Sequence, residues 1–143
     1  MDIESAALTV ELEKYIRVAH FGHSESVVRA LAGRVGGGTS ITVMKMGAPA
    51  LPEAVLHAGH HAVWQYPWSM ACDLLVDYLP QAFVIEVTEI SDVSILGRLC
   101  RYGIPVLVLR PPMLEFIVEK RLAESLELFT DVRCVTPNVL WLT

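Results

Sequence analysis

The sequence predicts an α/β protein: one doubly wound, mostly parallel sheet of five or six strands, all within a single domain over residues 1–143. Three observations carry this expectation. Short β-branched runs alternate with stretches of helical spacing along the whole chain, the order that parallel strands joined by crossover helices require. The strand segments are apolar almost throughout, as in 105–109 (PVLVL), which suits strands covered on both faces. The chain is also apolar overall, 53% hydrophobic with a mean hydropathy of +0.46. No apolar run reaches the roughly 18 to 20 residues of a membrane span, so the surplus belongs to a core or an oligomer interface.

Taken in order, residues 5–15 place Ala7, Leu8, Leu12 and Tyr15 at helical spacing, and this helix is expected at the sheet edge. Residues 16–21 form the first strand, and 22–24 its turn. Ser24 is the expected N-cap of a helix with Glu25 in its first turn and Val27, Val28, Leu31 and Val35 inward. Gly36, Gly37 and Gly38 follow a helix rather than a strand, so they read as a helix stop and return, not as a phosphate loop. Residues 40–46 make the second strand, and Pro52 opens a short helix to about Ala58.

The third strand is expected over 61–66, stopped by Pro67. A helix over 69–79 follows, capped by Ser69, with Met70, Leu74, Leu75 and Tyr78 inward. Residues 81–88 (QAFVIEVT) are the least ambiguous strand. Ser91 caps the next helix, whose inward stripe is Val93, Leu96, Leu99 and Cys100 and whose stop is Gly103. The fifth strand is 105–109, a long helix runs over 111–129, and a sixth strand is expected from the β-like runs 132–135 and 139–142.

A net charge of −5 and a pI near 5.5 argue against a direct electrostatic nucleic-acid partner, because neutralising phosphates supplies most non-specific affinity. Arg98 and Arg101 read as a solvated helix face. Cys72, Cys100 and Cys134 match no zinc or redox spacing and read as buried thiols in a reducing compartment. The first residues lack a basic and apolar signal, and the expected location is cytoplasmic.

Ligands of open α/β sheets bind outside the carboxyl ends of the strands. That rule selects Gly22, His23, Ser24, Glu25, Glu89 and Arg110 as candidate cofactor-binding residues, with His20 beside them. The helix start at Ser24 favours an anion, and Arg110 suits a phosphate or carboxylate. Glu86 lies within the fourth strand and Glu89 at its end; a carboxylate at a strand tip suits a base or a ribose ligand, but a single one falls short of a catalytic pair. No nucleophile elbow, Walker lysine motif or paired carboxylates is legible, so no catalytic residue is assigned. His57, His60 and His61 form an HxxHH cluster without a neighbouring acid or cysteine to complete a tetrahedral site. They read as histidines closing a helix rather than as metal ligands. Trp64, Tyr66 and Trp68 around Pro67 read as core or interface aromatics.

The order of helix, strand, glycine turn and helix resembles the opening of class I SAM-dependent methyltransferases, and of short archaeal Rossmann-like proteins related to them. VAHFGHSESVVRAL carries the turn with one glycine, Gly22; MKMGAP carries no acid after the second strand; AFVIEVTEISDVSILGRLCRYGIPVLVLRP is similar to the later half of the archaeal proteins. The resemblance implies a Rossmann-like fold and a SAM or nucleotide ligand. More locally, ILGRLCRYGIPVLVL resembles a segment of archaeal tRNA-splicing endonuclease subunits, with Ile104 and Pro105 where that family has a lysine. This second likeness implies a non-catalytic subunit of an RNA-processing complex. The two functional expectations are therefore a small ligand-binding domain, and a structural or regulatory subunit with a homo-oligomeric or protein partner.

Overall fold

The computed structural model describes residues 3–34, 38–51, 60–109, 121, 124–125 and 139–141. Six strands, β1 (Arg17–Phe21), β2 (Thr39–Met44), β3 (His61–Gln65), β4 (Ala82–Glu86), β5 (Val106–Leu109) and β6 (Val139–Trp141), form one sheet in the order β3-β2-β1-β4-β5-β6. Every pairing is parallel. The helices among the described residues are α1 (Ile3–Leu12), α2 (Glu25–Ala32), α3 (Trp68–Leu74) and α4 (Ser91–Cys100). This is the Rossmann-like α/β architecture that the alternation of elements predicts. The helices expected over 52–58 and 111–129, and the run 132–135, lie almost wholly outside the described residues. No helix among the described residues is long and apolar enough to cross a membrane.

Successive strand residues point to opposite faces, and the in-step register divides the core in two. On one face Phe21, Val43, Phe83, Ile85 and Val108 pack under Trp68, Ala71 and Leu75 of the α3 segment and Leu96 and Leu99 of α4. Phe21 meets Trp68 edge to face at 5.5 Å, and the Trp68 Nε1–H donates to the Val43 carbonyl at 3.0 Å. On the other face Val18, Val84 and Leu107 pack under Leu8 and Leu12 of α1 and Val27 and Leu31 of α2. Each Val, Leu, Ile or Phe among them, fully buried, contributes on the order of 1.5–3 kcal/mol.

Three local expectations are corrected. The first helix covers the middle of the sheet rather than its edge, because Leu8 and Leu12 reach Val18 and Val84 of the two central strands. The third helix starts at Trp68, with Pro67 in the capping position. Its inward series is therefore Trp68, Ala71, Cys72 and Leu75, while Met70 and Leu74 are each 52% exposed. The fourth helix is not capped by the Ser91 side chain. It begins at Ser91, and the Asp92 carboxylate instead accepts backbone N–H bonds from Thr88 (2.9 Å) and Glu89 (3.2 Å), tying the strand exit to the helix start. Asp92 and Ile95 join Leu96 and Leu99 in the buried stripe, and Val93 and Cys100 are only partly buried.

A device at the opposite end of the strands comes from Arg34. Its guanidinium donates to the carbonyls of Leu12 (3.3 Å), Tyr15 (2.5 Å), Ile16 (3.2 Å) and Thr39 (2.5 Å), fastening α1 and the starts of β1 and β2 together. Gly38 leaves room for that group: a Cβ there would stand 2.9 Å from the guanidinium carbon.

Candidate functional site

β1 and β4 are neighbours, yet the chain leaves β1 towards β2 on one side and β4 towards β5 on the other. This reversal makes the carboxyl ends of β1 and β4 the topological switch point, where open parallel sheets bind ligands. β1 exits through Gly22, whose N–H donates to the Val43 carbonyl at 3.1 Å. β4 ends at Glu86, directly beside that turn.

The Glu86 carboxylate explains the lone glycine. A Cβ at Gly22 would lie 1.8 Å from Glu86 Oε2 and 2.7 Å from His20 Nε2, so only glycine admits the pair. Glu86 Oε2 accepts from the backbone N–H of Ser24 at 3.2 Å and from His20 Nε2 at 2.5 Å. Burial works to raise the Glu86 pKa. The His20 hydrogen bond and charge, the Ser24 N–H and the nearby His23 outweigh it and hold the carboxyl below its ordinary value. Ser24 is the N-cap residue of α2 by position, as expected, but its hydroxyl bonds Ser26 Oγ (2.9 Å) rather than the helix backbone.

Below Glu86 a line of polar side chains crosses four strands on the α1/α2 face. His20 Nδ1 lies 2.9 Å from Thr42 Oγ1 of β2; the same hydroxyl lies 2.9 Å from His61 Nε2 of β3; and His61 Nδ1 lies 2.5 Å from Ser40 Oγ. His20 and Thr42 are completely buried, and Ser40 is 3% exposed. Desolvation, with the charges of His20 and Arg34, lowers the His61 pKa to about 4. An imidazole so placed stays neutral at physiological pH.

A second cluster borders the switch point. Lys45, after β2, donates to Glu89 Oε1 (2.8 Å), Asp92 Oδ2 (2.9 Å) and Thr88 Oγ1 (3.2 Å), and its Nζ stands 4.7 Å above the Trp68 ring. The Lys45 bond and charge lower the Glu89 pKa.

The residues selected from the sequence are thus distributed unevenly. Gly22 and Ser24 meet at Glu86, and His23 is exposed close by. Glu25 turns to the surface and pairs with Arg29 at 2.6 Å, while Glu89 is drawn to Lys45. Arg110 and His57 lie outside the described residues. His61 does not close a helix: it is the first residue of β3 with its ring hydrogen-bonded into the sheet, and His60 before it is exposed, while the residues that precede them lie outside the described ones. Among the described residues no three His, Cys, Asp or Glu side chains are grouped to hold a metal ion. The aromatic group around Pro67 splits, with Trp68 in the core and Trp64 38% exposed. Arg98 is not merely solvated, since it donates to the Ser69 carbonyl (2.6 Å) and to Asp73 (3.1 Å).

Sequence reasoning weighed Glu86 as a lone strand-tip carboxylate and His61 within the HxxHH run without assigning either to the site, and it left out Thr42 and Ser40. The available signal was parity: His20, Thr42 and Glu86 are polar residues inside strands that are otherwise apolar, and a polar group in a buried strand is the informative exception.

No family model matches the chain, and no curated protein matches it in sequence. The fold and the switch-point geometry therefore define the class alone: an α/β protein with a six-stranded, all-parallel Rossmann-like sheet.

Proposed function

We propose that the chain is a small Rossmann-like ligand-binding domain that takes a nucleoside-type ligand, SAM or a related adenosine compound, at the carboxyl ends of β1 and β4. One observation carries this reading: Glu86 sits over Gly22 on the Ser24 N–H, the position that a pyrophosphate takes in dinucleotide-binding folds. A helix start favours an anion by about 0.3–1 kcal/mol, up to about 2 in partly buried geometries. Two like charges 4 Å apart repel by about 4 kcal/mol at an effective dielectric of 20. The repulsion wins, so phosphate is disfavoured, whereas ribose hydroxyls, an amine or a sulfonium suit a carboxylate. With Oε2 engaged by His20 and Ser24, Oε1 is the atom assigned to the ligand.

Thermal melts with SAM, S-adenosylhomocysteine, adenosine, NAD and ATP test the reading. A ligand at 100 times its Kd adds about 2.7 kcal/mol, a rise of several degrees for a chain of this size. The rise is expected with SAM or adenosine and is lost in Glu86→Ala. Failure of all five to shift the melt refutes the reading.

A second reading, a non-catalytic structural or regulatory subunit, draws on the exposure of Met70, Leu74, Val76 and Leu79, each at least half open along one stretch. Light scattering separates them: a stable homo-oligomer supports an interface there, and a monodisperse monomer argues against self-association.

A further inference from the structure

The line from Ser40 to Glu86 has a property that a set of structural hydrogen bonds need not have: every member can both donate and accept, except the ionised carboxylate at its end. That carboxylate fixes the direction of all the others. With His20 neutral, its Nε2–H donates to Glu86, so its Nδ1 accepts the Thr42 hydroxyl proton. The Thr42 oxygen then accepts from His61 Nε2–H, and His61 Nδ1 accepts from the Ser40 hydroxyl. With His20 protonated, Nδ1–H must donate to Thr42, the Thr42 hydroxyl must turn to His61 Nε2, and His61 must carry its proton on Nδ1 and donate to Ser40. Both patterns pair every ring nitrogen and the Thr42 hydroxyl without moving a heavy atom.

We infer that Ser40, His61, Thr42, His20 and Glu86 form a proton relay joining the exposed edge of the sheet to the switch point. The solvent-accessible members are His61, half-buried on edge strand β3 with the buried Ser40 hydroxyl on its Nδ1, and Glu86, whose side chain is 13% exposed, while His20 and Thr42 are sealed between them. In the inward step the Ser40 hydroxyl, keeping its proton, turns from donor to acceptor, a solvent proton binds the freed His61 Nδ1, His61 Nε2–H breaks and its proton passes to Thr42 Oγ1, and the original Thr42 proton passes to His20 Nδ1. One proton is taken up at the edge, and one positive charge appears on His20 against the Glu86 carboxylate. From there the Nε2 proton is available to Glu86, and through it to a bound group. Glu86 thereby becomes an acid or base that the protein recharges from a site three strands away.

The groups acting on the relay are few. His23 and the Ser24 N–H face Glu86 at the upper end, and Arg34 acts on His61 from below. α1 and α2 bring Leu8, Leu12, Val27 and Leu31 to this face, excluding water from its middle. The inference stands apart from the choice of ligand, and its test uses none.

Long-range proton–nitrogen NMR of the 15N-labelled full chain reads the tautomer and titration of each histidine. The relay predicts that His61 switches from its Nε2–H to its Nδ1–H form at the same pH at which His20 takes up a proton. In Thr42→Ser, which keeps the hydroxyl, the joint switch persists; in Thr42→Val it is lost and the two rings titrate separately. A His61 tautomer in the unmodified chain that does not change as His20 titrates overturns the relay, as does a joint switch that survives Thr42→Val. If Thr42→Val fails to fold, the unmodified chain and Thr42→Ser still decide it: absence of the joint switch in either counts against the relay.

Discussion

The two faces of one sheet are built on opposite terms. Under α3 and α4, Phe21, Val43, Phe83 and Ile85 meet apolar side chains and are completely buried. Under α1 and α2, the same strands set His20, Thr42 and Ser40 among Val18, Val84 and Leu107, also sealed from solvent. Burying an uncompensated hydroxyl or imidazole costs on the order of 1–3 kcal/mol by protein mutational measure, and an apolar replacement avoids that cost. The first face follows the rule for stability, while the second departs from it in a line aimed at the switch point. Such departures are expected at functional or strained sites.

The largest effect expected from breaking this contrast is on the apolar face. Phe83 stands 6.2 Å from Phe21 and 5.3 Å from Tyr102, ring centre to centre. Phe83→Ala should cost about 3–5 kcal/mol in urea unfolding, while leaving the histidine tautomers as they are in the fraction that stays folded.

On the polar face, Gly22→Ala forces a methyl into the space of Glu86 Oε2 and should cost about 1–3 kcal/mol. Glu86→Ala removes the acceptor of His20 and should cost a similar 1–3 kcal/mol. Because both act on one contact, their effects should not add. Gly22→Ala should be cheaper in the Glu86→Ala background by at least about 0.5 kcal/mol, measured as a double-mutant cycle. Strict additivity would mean that Glu86 does not occupy the space above Gly22.

Acid should destabilise the fold through this face first. His61 binds its proton at about pH 6.5 when unfolded but only near 4 in the fold, so the unfolded chain holds more protons between those values. Its contribution is complete above pH 6.5 and is lost as pH falls towards 4. Glu86, with its folded value depressed, adds stability that is present above about 4.5 and disappears below it. Urea midpoints recorded from pH 7.5 to 4 should therefore fall steadily, and His61→Gln should flatten the upper part of that fall. The smallest effect belongs to the surface: Glu25→Ala breaks an exposed pair with Arg29 and should change stability by only about 0.3–0.5 kcal/mol.

Much of the architecture was legible in the sequence. PVLVL and QAFVIEVT can hardly be anything but buried parallel strands, and the turn at Gly22 is where a first strand should end. The helix phases were harder. Whether the third helix begins at Trp68 or Ser69 changes which residues face inward, and Pro67 next to a bulky tryptophan hides that choice. The candidate site was half legible for a different reason. Gly22 and Ser24 announce themselves by loop chemistry, but Glu86 becomes part of the site only when β4 pairs with β1, a contact between residues 66 apart. Thr42 and His61 need two further pairings, and no local spacing encodes those.

Titration calorimetry with adenosine and adenosine 5′-monophosphate, ligands that differ by the phosphate alone, tests most directly whether Glu86 holds the phosphate position. With Glu86 in that position, the unmodified chain should bind adenosine at least about tenfold more tightly, a difference of about 1.4 kcal/mol, and Glu86→Gln should narrow the gap. Tighter binding of the monophosphate by the unmodified chain would contradict it.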